Sequence, residues 1–147
     1  IAFICVGDGP LRAKLQKDFE QEGVYFLGRR NDVESIMNAS DIGVLMSNNE
    51  KHGEGISNSL MEFMALSKPV IASNNGGNME LIQHDVTGII LKENNSYLLA
   101  SEILILLQNH DKISDLSQNA ASKIKKEFSI MKMVNKFIFI YEFKLKK

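Results

Sequence analysis

Short apolar runs alternate with helix-periodic segments along residues 1–91, and most runs give way to a polar loop carrying glycine or asparagine. Such runs read as strands at 1–6, 24–27, 42–46, 70–73 and 88–91. The first, Ile1-Ala-Phe-Ile-Cys-Val6, is apolar without a break. That predicts a strand buried on both faces, with Cys5 as a buried, inert thiol. Between the strands, Leu11, Leu15 and Phe19 recur on one helical face, from Pro10 to near Gly23. Asp32 suits the cap of a helix through Ala39, with Val33, Ile36 and Met37 inward. Residues 56–66 place Ile56, Leu60, Phe63 and Met64 on one stripe, and Asn78 suits the cap of a helix through Ile82. Three helices follow, at 97–108, 112–127 and 130–144. The alternation predicts an α/β fold: a doubly wound parallel sheet between two helical layers.

In such folds ligands sit beyond the carboxyl ends of the strands. Loops 7–10, 28–31, 47–55 and 74–77 all belong there. The third leads into Glu54-Gly-Ile-Ser-Asn-Ser-Leu-Met-Glu62. Eight residues at the helical rise of ~1.5 Å place the two acids roughly 12 Å apart, with a helix N-terminus between them. The N–H groups around Gly55, Ile56, Ser57, Asn58 and Ser59 are then free to hold an anion. Plain capping by Ser57 or Asn58 accounts for the same residues and is compatible with it. Taken singly, Glu54 reads as a solvated loop acid and Glu62 as a boundary residue. Together they suit a sugar–diphosphate–ribose ligand, one acid for each set of hydroxyls. Arg29 and Arg30 offer planar cations for a base. Gly7-Asp8-Gly9-Pro10 lacks the G-x-G-x-x-G spacing of a dinucleotide fingerprint.

Composition excludes several classes. The 147 residues suffice for one core, and 44% hydrophobic content argues against disorder. Seventeen basic and eighteen acidic side chains demand no nucleic-acid partner. His52, His84 and His110 lack metal-ligand spacing, and no nucleophile elbow or Walker loop occurs. No apolar stretch reaches the ~18–20 residues of a membrane span, and no signal peptide is visible. A strand at Ile1 suggests a start cut from a longer protein. In the last helix Met131, Val134, Phe137, Ile138 and Tyr141 form an apolar stripe beside several lysines. Packing on its own domain is the first reading. Docking on a further domain is the second, and a membrane-surface helix the third.

In order and spacing, these pieces resemble the C-terminal, donor-binding domain of retaining GT-B glycosyltransferases, in particular glycosyltransferase family 4. The resemblance rests on Val6-Gly-Asp-Gly-Pro-Leu, Val24-Tyr-Phe-Leu-Gly-Arg-Arg-Asn-Asp-Val, Ala39-Ser-Asp-Ile, the E-x7-E segment 54–62, Lys68-Pro-Val-Ile-Ala-Ser and Gly76-Gly77-Asn-Met-Glu80. It covers nearly the whole chain, taken as a single donor-binding domain with the acceptor domain absent. It implies a Rossmann-like half of a GT-B fold and transfer of a sugar from a nucleotide-diphosphate donor with retention. Glu54 would bind donor-sugar hydroxyls, and the N–H groups of Ser57, Asn58 and Ser59 the diphosphate. Glu62 would bind the ribose, and Gly28, Arg29 and Arg30 would frame the base. No cofactor or metal is implied. The implied acceptor is a polysaccharide, lipopolysaccharide or lipid-linked glycan, reached through an N-terminal domain. The implied setting is the cytoplasm, with peripheral contact at the membrane's cytoplasmic face.

Two departures stand out. Ile56 replaces the aromatic residue of many members, and the basic pair that neutralises the donor diphosphate lies before Ile1. The chain alone is therefore expected to lack transferase activity while binding nucleotide weakly. A sugar-nucleotide epimerase of the same fold and a non-catalytic nucleotide-binding scaffold are the alternatives.

Overall fold

The computed structural model describes residues 1–19, 22–47 and 55–145. Along the chain run β1 (Phe3–Val6), α1 (Arg12–Phe19), β2 (Val24–Gly28), α2 (Val33–Ala39), β3 (Gly43–Leu45) and α3 (Asn58–Ala65). Then come β4 (Val70–Ser73), α4 (Asn78–Leu81), β5 (Ile89–Leu91), α5 (Ser96–Leu107), α6 (His110–Glu127) and α7 (Ile130–Leu145). The alternating α/β order is as the sequence predicts. The chain divides into two units, Ile1–Ile36 and Met37–Lys147, with the division inside α2.

In the second unit β3, β4 and β5 form a parallel ladder with β4 in the centre. Every residue of β4 and β5 is buried. Alternate side chains feed two cores, as a strand covered on both faces requires. Val70, Ala72 and Ile90 meet Leu60 and Met64 of α3, Leu81 of α4 and Ala120 of α6. Ile71, Ile89 and Leu91 meet Ile103 and Leu106 of α5 and Leu116 of α6. Helices on both faces of a parallel sheet give the α/β/α layering. α3 sits so close to the sheet that a Cβ on Gly43 would lie 2.6 Å from the Phe63 ring.

In the first unit β1 and β2 pair in parallel, Phe3 with Val24 through Cys5 with Phe26. The register then shifts, so that Val6 stands opposite Gly28. The expectation of a first strand buried on both faces is overturned: all four residues of β1 are exposed, Ile4 by 49%. Cys5 is an exposed thiol, not a buried one. Two strands and one eight-residue helix supply too little surface to cover a sheet. α1 buries none of its residues, and Leu11, Leu15 and Phe19 stay exposed. Pro10 lies two residues ahead of α1 rather than opening it.

Two further expectations change. Gly77, not Asn78, is the N-cap of α4, and no side chain caps that helix. The amide of Asn78 instead points back to the strand and donates to the Ser73 carbonyl at 3.2 Å. Ile130 through Lys144 of α7 are all exposed, so its stripe does not pack on its own unit. α7 carries Phe139 and Phe143 on the face opposite Val134, Ile138 and Tyr141. It has no single apolar side to offer a core, and both sheet faces are already covered by other helices.

Candidate functional site

The second unit holds one group of the expected residues, at the carboxyl edge of its ladder. Ser57 caps α3: its Oγ accepts from the Leu60 N–H at 3.5 Å and lies 3.0 Å from Ser59 Oγ. The Ser57 carbonyl accepts from the Met61 N–H, the first turn of the helix ladder. The N–H groups of Asn58 and Ser59 stand at the helix mouth, outside that ladder. The helix dipole adds roughly half a positive charge there. Glu62, in the second turn, is exposed. Ile56 is also exposed at the helix entrance.

The neighbouring loop 74–77 is pressed against this entrance. A Cβ on Gly77 would lie 2.5 Å from the Gly55 carbonyl carbon and oxygen and 2.6 Å from the Ile56 nitrogen. Only a bare backbone fits. Behind both loops, the Ser73 hydroxyl donates to the Ser47 carbonyl at 3.2 Å and accepts from its N–H at 3.0 Å. Asn94 Nδ2 donates to the same carbonyl at 2.9 Å. The end of β4 and the segments following β3 and β5 are thereby tied together. Asn75 Nδ2 and Asn78 Oδ1 are buried without a partner among the described residues. Glu54, with residues 48–54 and His52, lies outside the described residues.

The first unit holds the other expected residues. The register shift brings Gly28 to φ +68°, and its carbonyl accepts from the Gly7 N–H at 2.9 Å. A Cβ on Gly28 would lie 2.7 Å from Arg12 Nη1 and 2.9 Å from Cζ and Nη2. The glycine backbone therefore rests over the Arg12 guanidinium, and any side chain would displace it. Arg12 Nη1 is 3.9 Å from Asp8 Oδ1, a loose pairing. Next along the loop, Arg29, Arg30, Asn31 and Asp32 line an open hollow of about 400 Å³. Arg30 is fixed by Asp32: Nε donates to Oδ1 at 2.8 Å and Nη2 to Oδ2 at 2.7 Å. Through that hydrogen bond and the adjacent charge, Arg30 is held above its ordinary value; the hydrogen bond from Arg30 likewise holds the Asp32 carboxyl below its own. Arg29 has no ion pair among the described residues.

The expected residues thus fall into two groups. Gly28, Arg29 and Arg30 belong to the first unit. Gly55, Ile56, Ser57, Asn58, Ser59 and Glu62 belong to the second. Sequence reasoning passed over Arg12, Asp32, Ser73, Asn94 and the packing role of Gly77. The Asp8/Arg12 spacing of four and the Arg30/Asp32 spacing of two were the available signals. Nothing in the sequence pairs Ser73 with Ser47.

Known proteins resemble this chain in sequence and in fold. Residues 1–109 match the family described as Glycosyl transferases group 1. The chain is 30% identical over 146 residues to the UDP-Gal:alpha-D-GlcNAc-diphosphoundecaprenol alpha-1,3-galactosyltransferase of Escherichia coli, covering 95% of this chain and 36% of that protein. It is 29% identical over 142 residues to the N-acetyl-alpha-D-glucosaminyl L-malate synthase of Bacillus anthracis, covering 94% and 36%. Anabaena Alr3699/HepE in complex with UDP superposes with a TM-score of 0.84 at 25% identity, over 97% of this chain and 41% of that one. The same Anabaena protein is known with UDP-glucose. The chain therefore spans little more than a third of the length of these two curated relatives. By its family match and its Rossmann-like α/β architecture, it belongs to the glycosyl transferases group 1 family.

Proposed function

We propose that this chain supplies the donor site of a retaining glycosyltransferase that moves a sugar from a nucleoside-diphosphate sugar to an acceptor. The observation that carries the reading is the mouth of α3, where the free N–H groups of Asn58 and Ser59 stand one helical turn before an exposed Glu62. In this reading the diphosphate lies on those N–H groups and Glu62 takes the ribose hydroxyls. Glu54, assigned from the E-x7-E spacing, takes hydroxyls of the donor sugar as a positioning acid. Departure of the nucleoside diphosphate leaves oxocarbenium character on the sugar. The helix N-terminus stabilises the charge that develops on the phosphate, in a site that needs no reorganisation. No metal takes part in this reading.

UDP is the supported nucleotide, because the Anabaena protein binds UDP and UDP-glucose and the Escherichia coli relative uses UDP-Gal. The latter's name also supports a lipid-linked glycan acceptor, bound by a part of the protein beyond this chain. In this reading the reaction runs at the cytoplasmic face of a membrane. Among the described residues, no helix is long and apolar enough to cross one.

Titration of the chain with UDP, GDP and ADP, followed by amide NMR, tests the reading. Saturable shifts at 55–59 and 28–30 with UDP are expected, and Glu62→Ala should weaken them on the order of tenfold, the loss of a charged hydrogen-bond acceptor. Binding of UDP with no shift at 55–59, or with full affinity in Glu62→Ala, would sink it.

A further inference from the structure

α4 is a helix of four residues with no side-chain cap. A helix that short does not hold itself, so its place is set from outside. Leu81 anchors one end in the core. Asn78 anchors the other. Its Nδ2 donates to the Ser73 carbonyl at the end of β4, at 3.2 Å, and its backbone N–H donates to the Asn75 carbonyl at 2.9 Å. The residue before it is Gly77, whose backbone meets the Gly55–Ile56 peptide at the entrance of α3. Asn78 therefore backs the contact between the two loops from the side of the sheet.

This anchor lowers stability. Asn78 is 0% exposed and Asn75 4%, yet Asn78 Oδ1 and Asn75 Nδ2 are buried without a hydrogen-bond partner among the described residues. An acceptor and a donor in one turn go unmet, and each loses its hydration on folding without a replacement. An apolar side chain of similar shape would bury α4 without that loss. Local rules broken in this way are expected where geometry matters more than stability.

On the donor-site reading, we infer that Asn78 is a positioning residue for the diphosphate: by holding Gly77 against the Gly55–Ile56 peptide it sets the Asn58 and Ser59 N–H groups, at a cost in stability. Apolar residues can bury α4, but a donor at position 78 is what fixes it to the Ser73 carbonyl. Asn78 is itself buried and acts through two backbone segments. Its loss is therefore felt by the phosphates and not by the nucleoside.

Amide NMR titration of the intact protein with UDP and with uridine, beside urea unfolding, tests this. The wild type should bind UDP more tightly than uridine, and the ratio of the two affinities reports the phosphates. Asn78→Leu keeps the branched shape, loses the bond to Ser73 and removes the unmet oxygen. Its urea midpoint should stay close to that of the wild type. Its ratio should fall on the order of tenfold, the scale of one hydrogen bond to a charged group, with uridine affinity unchanged. Asn78→Ala cannot overpack and should lower the ratio as far, so the result does not hang on the fit of leucine. Ile71→Ala, which weakens β4 on its other face, should lower the midpoint and keep the ratio. A ratio unmoved in both Asn78 variants, or one that falls equally in Ile71→Ala, overturns the inference and leaves the donor site standing. A midpoint that falls in Asn78→Leu as far as in Ile71→Ala overturns the cost in stability. Equal binding of UDP and uridine by the wild type, or binding of neither, overturns the donor-site reading and this inference with it.

Discussion

β1 and β4 are both short, apolar, parallel strands, yet they meet opposite fates. Phe3–Val6 is exposed throughout, and Val70–Ser73 is buried throughout. The difference lies in the neighbours. β4 has a strand on each side and helices on both faces, whereas β1 has one partner strand and a helix that buries nothing. An apolar run records what a strand is built to touch, and burial depends on what is there to touch it.

The largest test of that contrast replaces one isoleucine in each strand. Ile71→Ala, at a site with 0% exposure, should cost about 2–5 kcal/mol by urea unfolding. Ile4→Ala, at 49% exposure, should cost less than about 1 kcal/mol. Similar costs would mean that β1 is covered in solution. Gly77→Ala comes next. Its methyl group would strike the Gly55 carbonyl, and overpacking of this kind costs roughly 1–3 kcal/mol. Nucleotide binding should fall with it, while the shifts at 28–30 in the other unit keep their free-state positions. Ser73→Ala removes both hydrogen bonds to Ser47 and should cost about 1 kcal/mol, chiefly from the Ser47 N–H, because Asn94 still donates to the carbonyl.

Acid titration sharpens the comparison with a smaller effect. Asp32 in the first unit is held below its ordinary value by hydrogen bonding from Arg30. Asp85 in the second is held down by hydrogen bonding from Lys112, whose Nζ lies 2.8 Å away. A lowered carboxyl stabilises the fold above its unfolded value, and the contribution disappears as pH falls through the folded one. Both contributions should therefore fade only on the acid side of the ordinary aspartate range. Asp32→Asn and Asp85→Asn should each flatten that limb, as read by fluorescence or circular dichroism melts. The smallest effect belongs to Cys5. Native protein should react with a thiol reagent about as fast as unfolded protein, and Cys5→Ser should shift stability by less than about 0.5 kcal/mol.

Much of this was legible in the residues. The five strands and the order of helices follow from runs and periodicity, and β4 occupies the range that Val70-Ile-Ala-Ser73 predicts. Ser57 as a cap and Glu62 as an exposed acid on α3 were also readable, because both depend on local spacing. What escaped depends on distant partners. The burial of β1 and Cys5 was misread because a strand cannot announce how many neighbours it has. Asn78 looks like a cap by residue type, yet a strand carbonyl five residues back claims its amide. α7 was misread because an apolar stripe does not reveal that other helices already cover both faces of the ladder. Gly77 reads in the sequence as one residue of the 74–77 loop, whereas its lack of a side chain is what lets that loop touch the entrance of α3.

That touch has a consequence for anyone wishing to redesign the entrance of α3. Because Gly77 and the Gly55–Ile56 peptide are in backbone contact, the two loops behave as one part of the protein. An altered loop after β4 will be accepted only together with a matching change at the entrance of α3. Grafts between family members should therefore exchange the two segments as a set, and libraries that vary either alone should return mostly misfolded or silent proteins.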